Sequence, residues 1–257
     1  MQSPAEQLRT FYRSGSTRPL ARRMEALRHL KTAIENHKDE ILAALHADLG
    51  KSAFEAYVTE VAPALAELDA FLRHGKCWLK PEKVKSPLLM FPSKTFVVRD
   101  PHGVILLLAP WNYPFHLFMV PFIGMIACGN TVLGKPSRRS PATTAVLEKI
   151  IGDVFPQEWA RVSSEVDLDD AYDYIFFTGG ITTGKMIAER AAKTLTPVTL
   201  ELGGKNACVV DDTADLTVAA RRIAWAKCIN AGQTCVAPDY LLVQASVKDV
   251  LVEKIAA

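Results

Sequence analysis

Two residues in the second half of the chain have the chemistry of a covalent enzyme: Glu201, in PVTLELGGK (197–205), and Cys235, in GQTC (232–235). A cysteine nucleophile works as the thiolate, and it needs a proton carrier and donors for the oxyanion that develops. Glu201 follows the apolar run 197–200 and precedes Gly203 and Gly204. It reads as a carboxylate at a strand end, where the backbone can turn closely past a ligand. Cys235 follows an amphipathic helical stretch and is approached by small residues. Each residue also has an ordinary reading. A free cysteine is commonly a small buried hydrophobe, and a strand-end carboxylate is commonly a solvated charge.

Together, VTLELGGK and GQTC resemble the two active-site signatures of the aldehyde dehydrogenases. LTPVTLELGGK followed by GQTCVAPDY is most similar to the class 3-type, fatty-aldehyde branch. The resemblance runs from the first helices to about Val243. It implies a Cys235 nucleophile that passes through a thiohemiacetal and a thioester, with Glu201 as the general base that activates water. It implies NAD or NADP as hydride acceptor, no metal, and a medium or long aliphatic or aromatic aldehyde as substrate. It also implies a homodimer. Members of the family continue well past the position where this chain stops, so the sequence reads as a C-terminally truncated member. The alternative is a catalytically weak or inactive homologue that binds nucleotide or associates with a full-length subunit.

Three further segments follow predicted strands, the place where ligands sit in open α/β sheets. The first is APWNYP (109–114), in which the Asn112 amide can donate to an oxyanion; an Asn-Tyr-Pro turn is the plain alternative. It resembles the family's PWNYPF motif, which implies that Asn112 and the backbone N–H of Cys235 hold the oxyanion. The second is Gly134-Lys135-Pro136-Ser137-Arg138. It resembles KPSE, whose Lys and Glu contact the adenosine ribose, but Arg138 stands at the Glu position. A carboxylate there binds two ribose hydroxyls and repels a 2′-phosphate, and an arginine does the opposite, so NADP is expected to be tolerated or NAD to bind more weakly. The third is Gly179 to Gly184, FTGGITTG with its flanks, between a strand and a helix whose N-terminus would face a pyrophosphate. Gly180 and Ile181 replace the family's Ser and Thr. The cofactor-contacting set implied is Pro110, Trp111, Lys135, Ser137, Arg138, Gly179, Gly180, Gly184 and Leu202.

The 257 residues suffice for one or two domains with a sizeable core. A net charge of +2 from 30 basic and 28 acidic residues gives no signal for nucleic acid or membrane. The five cysteines, Cys77, Cys128, Cys208, Cys228 and Cys235, form no CxxC pair and no zinc spacing. An odd count without a secretory h-region points to reduced thiols and a cytoplasmic protein. The most apolar run, 115–128, is too short and interrupted to span a bilayer, and reads as a core helix.

Residues 1–80 read as helices: 7–13, 20–36, 38–49 and a long 52–76 with Phe54, Tyr57, Val58, Val61, Leu65, Leu68 and Leu72 on one face and a kink near Pro63. Their charges read as solvated faces, and no chemistry is assigned to them. Residues 81–102 are a proline-punctuated extended arm. From 103 onward strands and helices alternate, which predicts an α/β fold with a doubly wound, Rossmann-like parallel sheet. The expected domains are a helical segment (1–80), an arm (81–102), a dinucleotide-binding domain (103–203) and the start of a catalytic α/β domain (204–257). Helix 216–230 is expected to bury Val218, Ile223, Trp225 and Ile229. The stretch 162–173 is shorter than the family's and leaves little room for a helix.

Overall fold

A computed structural model describes residues 3–257. Helix α1 (Pro4–Arg13) begins earlier than the apolar spacing predicts, because Ser3 and Glu6 cap it reciprocally. Helices α2 (Leu20–Asn36) and α3 (Lys38–Leu49) match expectation, and α3 ends at Gly50 in the left-handed region, with φ of 68°. The expected long helix after it is three pieces: α4 (Ala53–Ala56), a π-helical turn Tyr57–Val61, and α5 (Ala62–Trp78). The break has a local cause. Pro63 has no N–H to give the Thr59 carbonyl one turn back, and that carbonyl accepts from His116 Nδ1 at 3.0 Å. The wider turn also shifts the helical face. Val61 and Leu68 are buried as expected, but Phe54, Tyr57 and Val58 are exposed.

The arm is a short antiparallel ribbon of β1 (Glu82–Val84) and β2 (Thr95–Val97), with Leu88, Leu89, Met90 and Phe91 exposed between the strands. Next come β3 (Val104–Leu108), α6 (His116–Ala127), β4 (Thr131–Lys135), α7 (Pro141–Val154) and β5 (Ala160–Val162). β6 (Tyr174–Gly179), α8 (Ile181–Ala192) and β7 (Val198–Leu202) complete a five-stranded parallel sheet in the order β5-β4-β3-β6-β7. β3 is buried along its whole length, as the continuous apolar run GVILLLA requires of a strand covered on both faces. Ile105, Leu107 and Ala109 point into one core with Leu27, Leu30, Leu68, Phe115, Phe118 and Phe122. The first helices therefore share the core of the sheet.

The chain divides into two compact units, residues up to Thr178 with Gly184–Leu200, and Gly179–Thr183 with Glu201–Ala257. In the second unit β8 (Asn206–Val210) and β9 (Pro238–Val243) pair in parallel across α9 (Leu216–Cys228) and a 3-10 turn (Ile229–Gly232), and α10 (Lys248–Ala256) follows. Its small core is Val210, Ala220 and Leu251, with Ile223 packed on it. Val218 and Trp225, expected to be buried, are exposed at 43% and 67%. Two strands and two helices offer one face of α9 something to bury against, and the rest of its apolar surface meets solvent. Among the described residues, no helix is long and apolar enough to cross a membrane.

Candidate active site

In the first unit, strand register gathers two of the predicted segments. Leu108, the last residue of β3, lies opposite Lys135 on β4 and Phe177 on β6. Residues 109–112 and 136–138 thus leave the same carboxyl edge of the sheet. The Ala109 N–H donates to the Lys135 carbonyl at 3.1 Å and ties the two segments together. Pro110, Trp111 and Asn112 are half-buried in the loop between β3 and α6. Close backbone approach in this layer rests on Gly134, where an added Cβ would lie 2.5 Å from the Phe118 ring.

Lys135 was expected just beyond its strand and is the strand's last residue, half-buried. Burial, with the neighbouring Arg138 charge, holds its ammonium below the usual lysine range. Ser137 accepts from the Arg139 N–H at 3.2 Å, and Arg138 is exposed. Arg139 lies 6.0 Å from the Trp111 ring centroid. A carboxylate from far away holds the helix that follows: Asp48 accepts from the N–H groups of Ala142 and Thr143 and from the Thr143 hydroxyl, at 2.7–3.1 Å. This cationic edge fits an anionic nucleotide.

The glycine segment differs from its expected form. β6 runs on to Gly179, and α8 starts at Ile181 rather than near Lys185. Gly180 alone separates them, with open space around its missing Cβ. Gly184 lies inside α8 and is buried, so it packs the helix rather than lining a loop. Ile181, in place of a hydroxyl residue, is 51% exposed.

In the second unit, Glu201 is the penultimate residue of β7 and is exposed, with Leu202 half-buried beside it. Cys235 is exposed, and all five cysteines are free thiols. Two links tie the Glu201 motif to the cysteine loop. Asn206 Nδ2 donates to the Cys235 carbonyl at 2.7 Å and to the Ala237 carbonyl at 3.1 Å. Lys205 pairs with Asp239 at 3.3 Å. The approach to Cys235 is wound left-handed, with φ of 52°, 53° and 77° at Asn230, Ala231 and Gly232. Only Gly232 adopts this without cost, and strained turns of this kind gather at functional sites. Buried Asn230 and exposed Gln233 brace it through side-chain bonds to each other's carbonyls. The Ala237 N–H closes on the Thr234 carbonyl, so Cys235 is presented on a tight turn.

Sequence reasoning assigned no chemistry to residues 1–80, yet two of their charges are buried beside the Asn112 loop. Lys51 Nζ and Glu60 Oε1 lie 2.5 Å apart, with side chains 2% and 0% exposed. Glu60 Oε2 accepts from the N–H groups of Phe115 and His116 at 3.1 and 2.9 Å. The Lys51 ammonium sits 4.1 Å from the Tyr113 ring centroid. One signal was available: Glu60 interrupts the otherwise apolar and small run of Val58 to Ala62.

The sequence profile of the aldehyde dehydrogenase family matches residues 6–257. The chain is 41% identical over 250 residues to the 4,4'-diaponeurosporen-aldehyde dehydrogenase of Staphylococcus aureus, covering 95% of this chain and 54% of that protein. It is 43% identical over 253 residues to mouse aldehyde dehydrogenase family 3 member B1, covering 96% and 54%. The chain thus spans about half the length of the curated relatives it matches. Among solved structures, a substrate-bound AldH of Staphylococcus aureus superposes with a TM-score of 0.95 at 39% identity, over 100% of this chain and 58% of that one. A betaine aldehyde dehydrogenase of the same organism, solved with NAD+, gives 0.87 at 29% identity, over 98% and 51%.

Proposed function

This chain belongs to the aldehyde dehydrogenase family, and we propose that it oxidises an aldehyde to the carboxylic acid with a nicotinamide dinucleotide as acceptor. The observation that carries this reading furthest is the register that brings the Asn112 loop and the Lys135–Arg138 turn to one carboxyl edge. Cys235, presented on its turn, attacks the aldehyde carbon as thiolate and forms the C–S bond. The carbonyl oxygen gains negative charge, and the Asn112 amide and the Cys235 N–H are the donors assigned to it. A bound nicotinamide would supply the oxidant, taking the hydride that leaves the thiohemiacetal carbon as that carbon becomes a Cys235 thioester. Glu201 then takes a proton from water as its oxygen attacks the thioester carbon; the C–S bond breaks and releases the carboxylic acid and the Cys235 thiolate.

The residues assigned to the dinucleotide are Pro110, Trp111, Lys135, Ser137, Arg138, Gly179, Gly180 and Leu202, with Gly184 supporting from inside α8. Exposed Arg138 in place of a carboxylate favours acceptance of NADP beside NAD. The domain reading is a helical segment (1–80), an arm (81–102), a dinucleotide-binding domain (103–203) and the start of a catalytic domain (204–257), in a cytoplasmic homodimer. A second reading, a nucleotide-binding homologue without turnover, or one acting on a full-length subunit, draws on the exposed Ile181 and the open Gly180.

The test is reduction of NAD and of NADP by the purified protein with a long-chain aldehyde, beside Cys235→Ala and Glu201→Gln. The expected result is turnover with both cofactors, abolished in the first variant and stalled at the acyl-enzyme in the second. Turnover that survives Cys235→Ala refutes the covalent mechanism. A folded protein that binds nucleotide and turns over nothing moves the conclusion to the second reading. Strict selectivity for NAD refutes the assignment of Arg138.

A further inference from the structure

The loop that carries Asn112 is held at both ends by groups outside it. At its start the Ala109 N–H bonds to the Lys135 carbonyl. At its end Glu60 accepts the Phe115 and His116 N–H groups, the first donors of α6, which has no side-chain cap of its own. Such donors are usually satisfied by a Ser, Asp or Asn within the loop. A local cap leaves a loop free to move with its helix. A cap supplied from a different helix fixes the loop to the body of the protein.

The capping group is also an unusual one to bury. A buried carboxylate needs a cation, and Lys51 supplies it from the turn after α3. Burial pushes the Glu60 carboxyl up, while Lys51 and the two amides oppose that shift. Replacing such a pair with apolar side chains of similar volume often leaves a fold as stable or more so. The pair therefore calls for an explanation other than stability. Lys51 reaches Tyr113 as well, through its ring face. The π-helical turn that presents Glu60 also directs the Thr59 carbonyl to His116 Nδ1. Residues 113, 115 and 116 are thus all gripped from residues 51, 59 and 60, and Asn112 lies directly ahead of them. π-Helical turns recur at functional sites.

We propose that Glu60, held by Lys51, is a positioning residue that sets the Asn112 amide where the oxyanion forms. This rests on the reading of Asn112 as an oxyanion donor. Glu60 acts on the loop through the backbone N–H groups of Phe115 and His116.

The experiment is a cycle of Glu60→Gln, Asn112→Ala and the double variant, measured for kcat and for KM of aldehyde and cofactor. Misplacing a reacting group by about 1 Å costs on the order of a hundredfold, so Glu60→Gln is expected to lower kcat by about ten- to a hundredfold, with KM for cofactor unchanged. In the Asn112→Ala background the same change is expected to cost little more. Equal losses in both backgrounds, or no loss, overturn the proposal. Hydrogen exchange of the amides of Asn112, Tyr113, Phe115 and His116 gives a readout free of turnover. Faster exchange confined to those residues in Glu60→Gln supports the proposal, and unchanged or uniformly faster exchange overturns it. Absence of turnover in the wild type refutes the dehydrogenase reading instead, and the exchange result still decides the role of Glu60. If Glu60→Gln fails to fold, the doubly neutral Lys51→Met/Glu60→Gln protein carries the same measurements.

Discussion

Replacing Lys51 with Met keeps a long apolar stem and removes the cation from a site where its side chain is 2% exposed and its partner's is 0%. Glu60 keeps its two amide donors and loses the Lys51 counter-charge, so the variant buries an uncompensated carboxylate. Breaking a buried pair from one side costs about 3–5 kcal/mol, a large share of the roughly 5–15 kcal/mol that holds a domain together. The deficit is expected to depend on pH, and its sign follows from the folded state. Burial already pushes Glu60 up, and Lys51 opposes the shift. Without Lys51 the folded-state carboxyl rises further above its unfolded value. A group with a raised folded pKa contributes its stability below the unfolded pKa and loses it as pH rises through the folded one. The Lys51→Met deficit is therefore greatest at neutral pH and shrinks toward acid. Lys51→Met/Glu60→Gln, which removes both charges, is expected to recover much of the loss. Urea unfolding across pH 4–8, followed by tryptophan fluorescence, reads all of this. A neutral-pH deficit under about 1 kcal/mol, well below the range for a broken buried pair, refutes the reasoning, as does a deficit independent of pH.

Gly134→Ala places a methyl 2.5 Å from the fully buried Phe118 ring, and overpacking of this kind costs about 1–3 kcal/mol; a midpoint unchanged in urea refutes it. On the surface, Lys31 holds Asp69 below its ordinary 3.8 through a 2.7 Å hydrogen bond. That contribution is present above the unfolded pKa and lost as pH falls through the folded one. Lys31→Met is therefore expected to be less stable than the wild type at pH 7 and to converge with it near pH 2, as thermal unfolding at the two pH values will show.

Elements with strong local signals were legible. α2 and α3 lie where apolar spacing puts them, because periodic burial is a property of residues close in sequence. The parallel sheet was legible for the same reason, since strands buried on both faces are continuous apolar runs. The start of α8 was misplaced because a Gly-Gly pair followed by threonines reads as loop, and the helix overrode it. The exposed Val218 and Trp225 show the converse failure, since periodicity names an apolar face and not what covers it. Lys51 and Glu60 were illegible for a deeper reason. In sequence, a charge on a helix is solvated unless something distant faces it, and here that is the N-terminus of α6, more than fifty positions away by the Glu60–Phe115 separation of 55.

The short connection 163–173 shows how such distant contacts let the sheet form. It carries no helix, and its last residue does the ordering instead. Asp173 accepts from the Val104 N–H at 2.8 Å and from Arg9 Nη1 at 2.9 and 3.0 Å, so one carboxylate joins β6, β3 and α1. Gly103 makes room for it. Its φ is 131°, and a Cβ there would lie 2.2 Å from Asp173 Oδ2. Tyr172 adds a second clasp, its hydroxyl donating to the Asp167 carbonyl at 2.9 Å. Register between β3 and β6 is thereby set at the edge opposite the candidate site. In a parallel pair the register at one end fixes it at the other, so the Asp173 contacts also hold Phe177 level with Leu108, where the Asn112 loop begins.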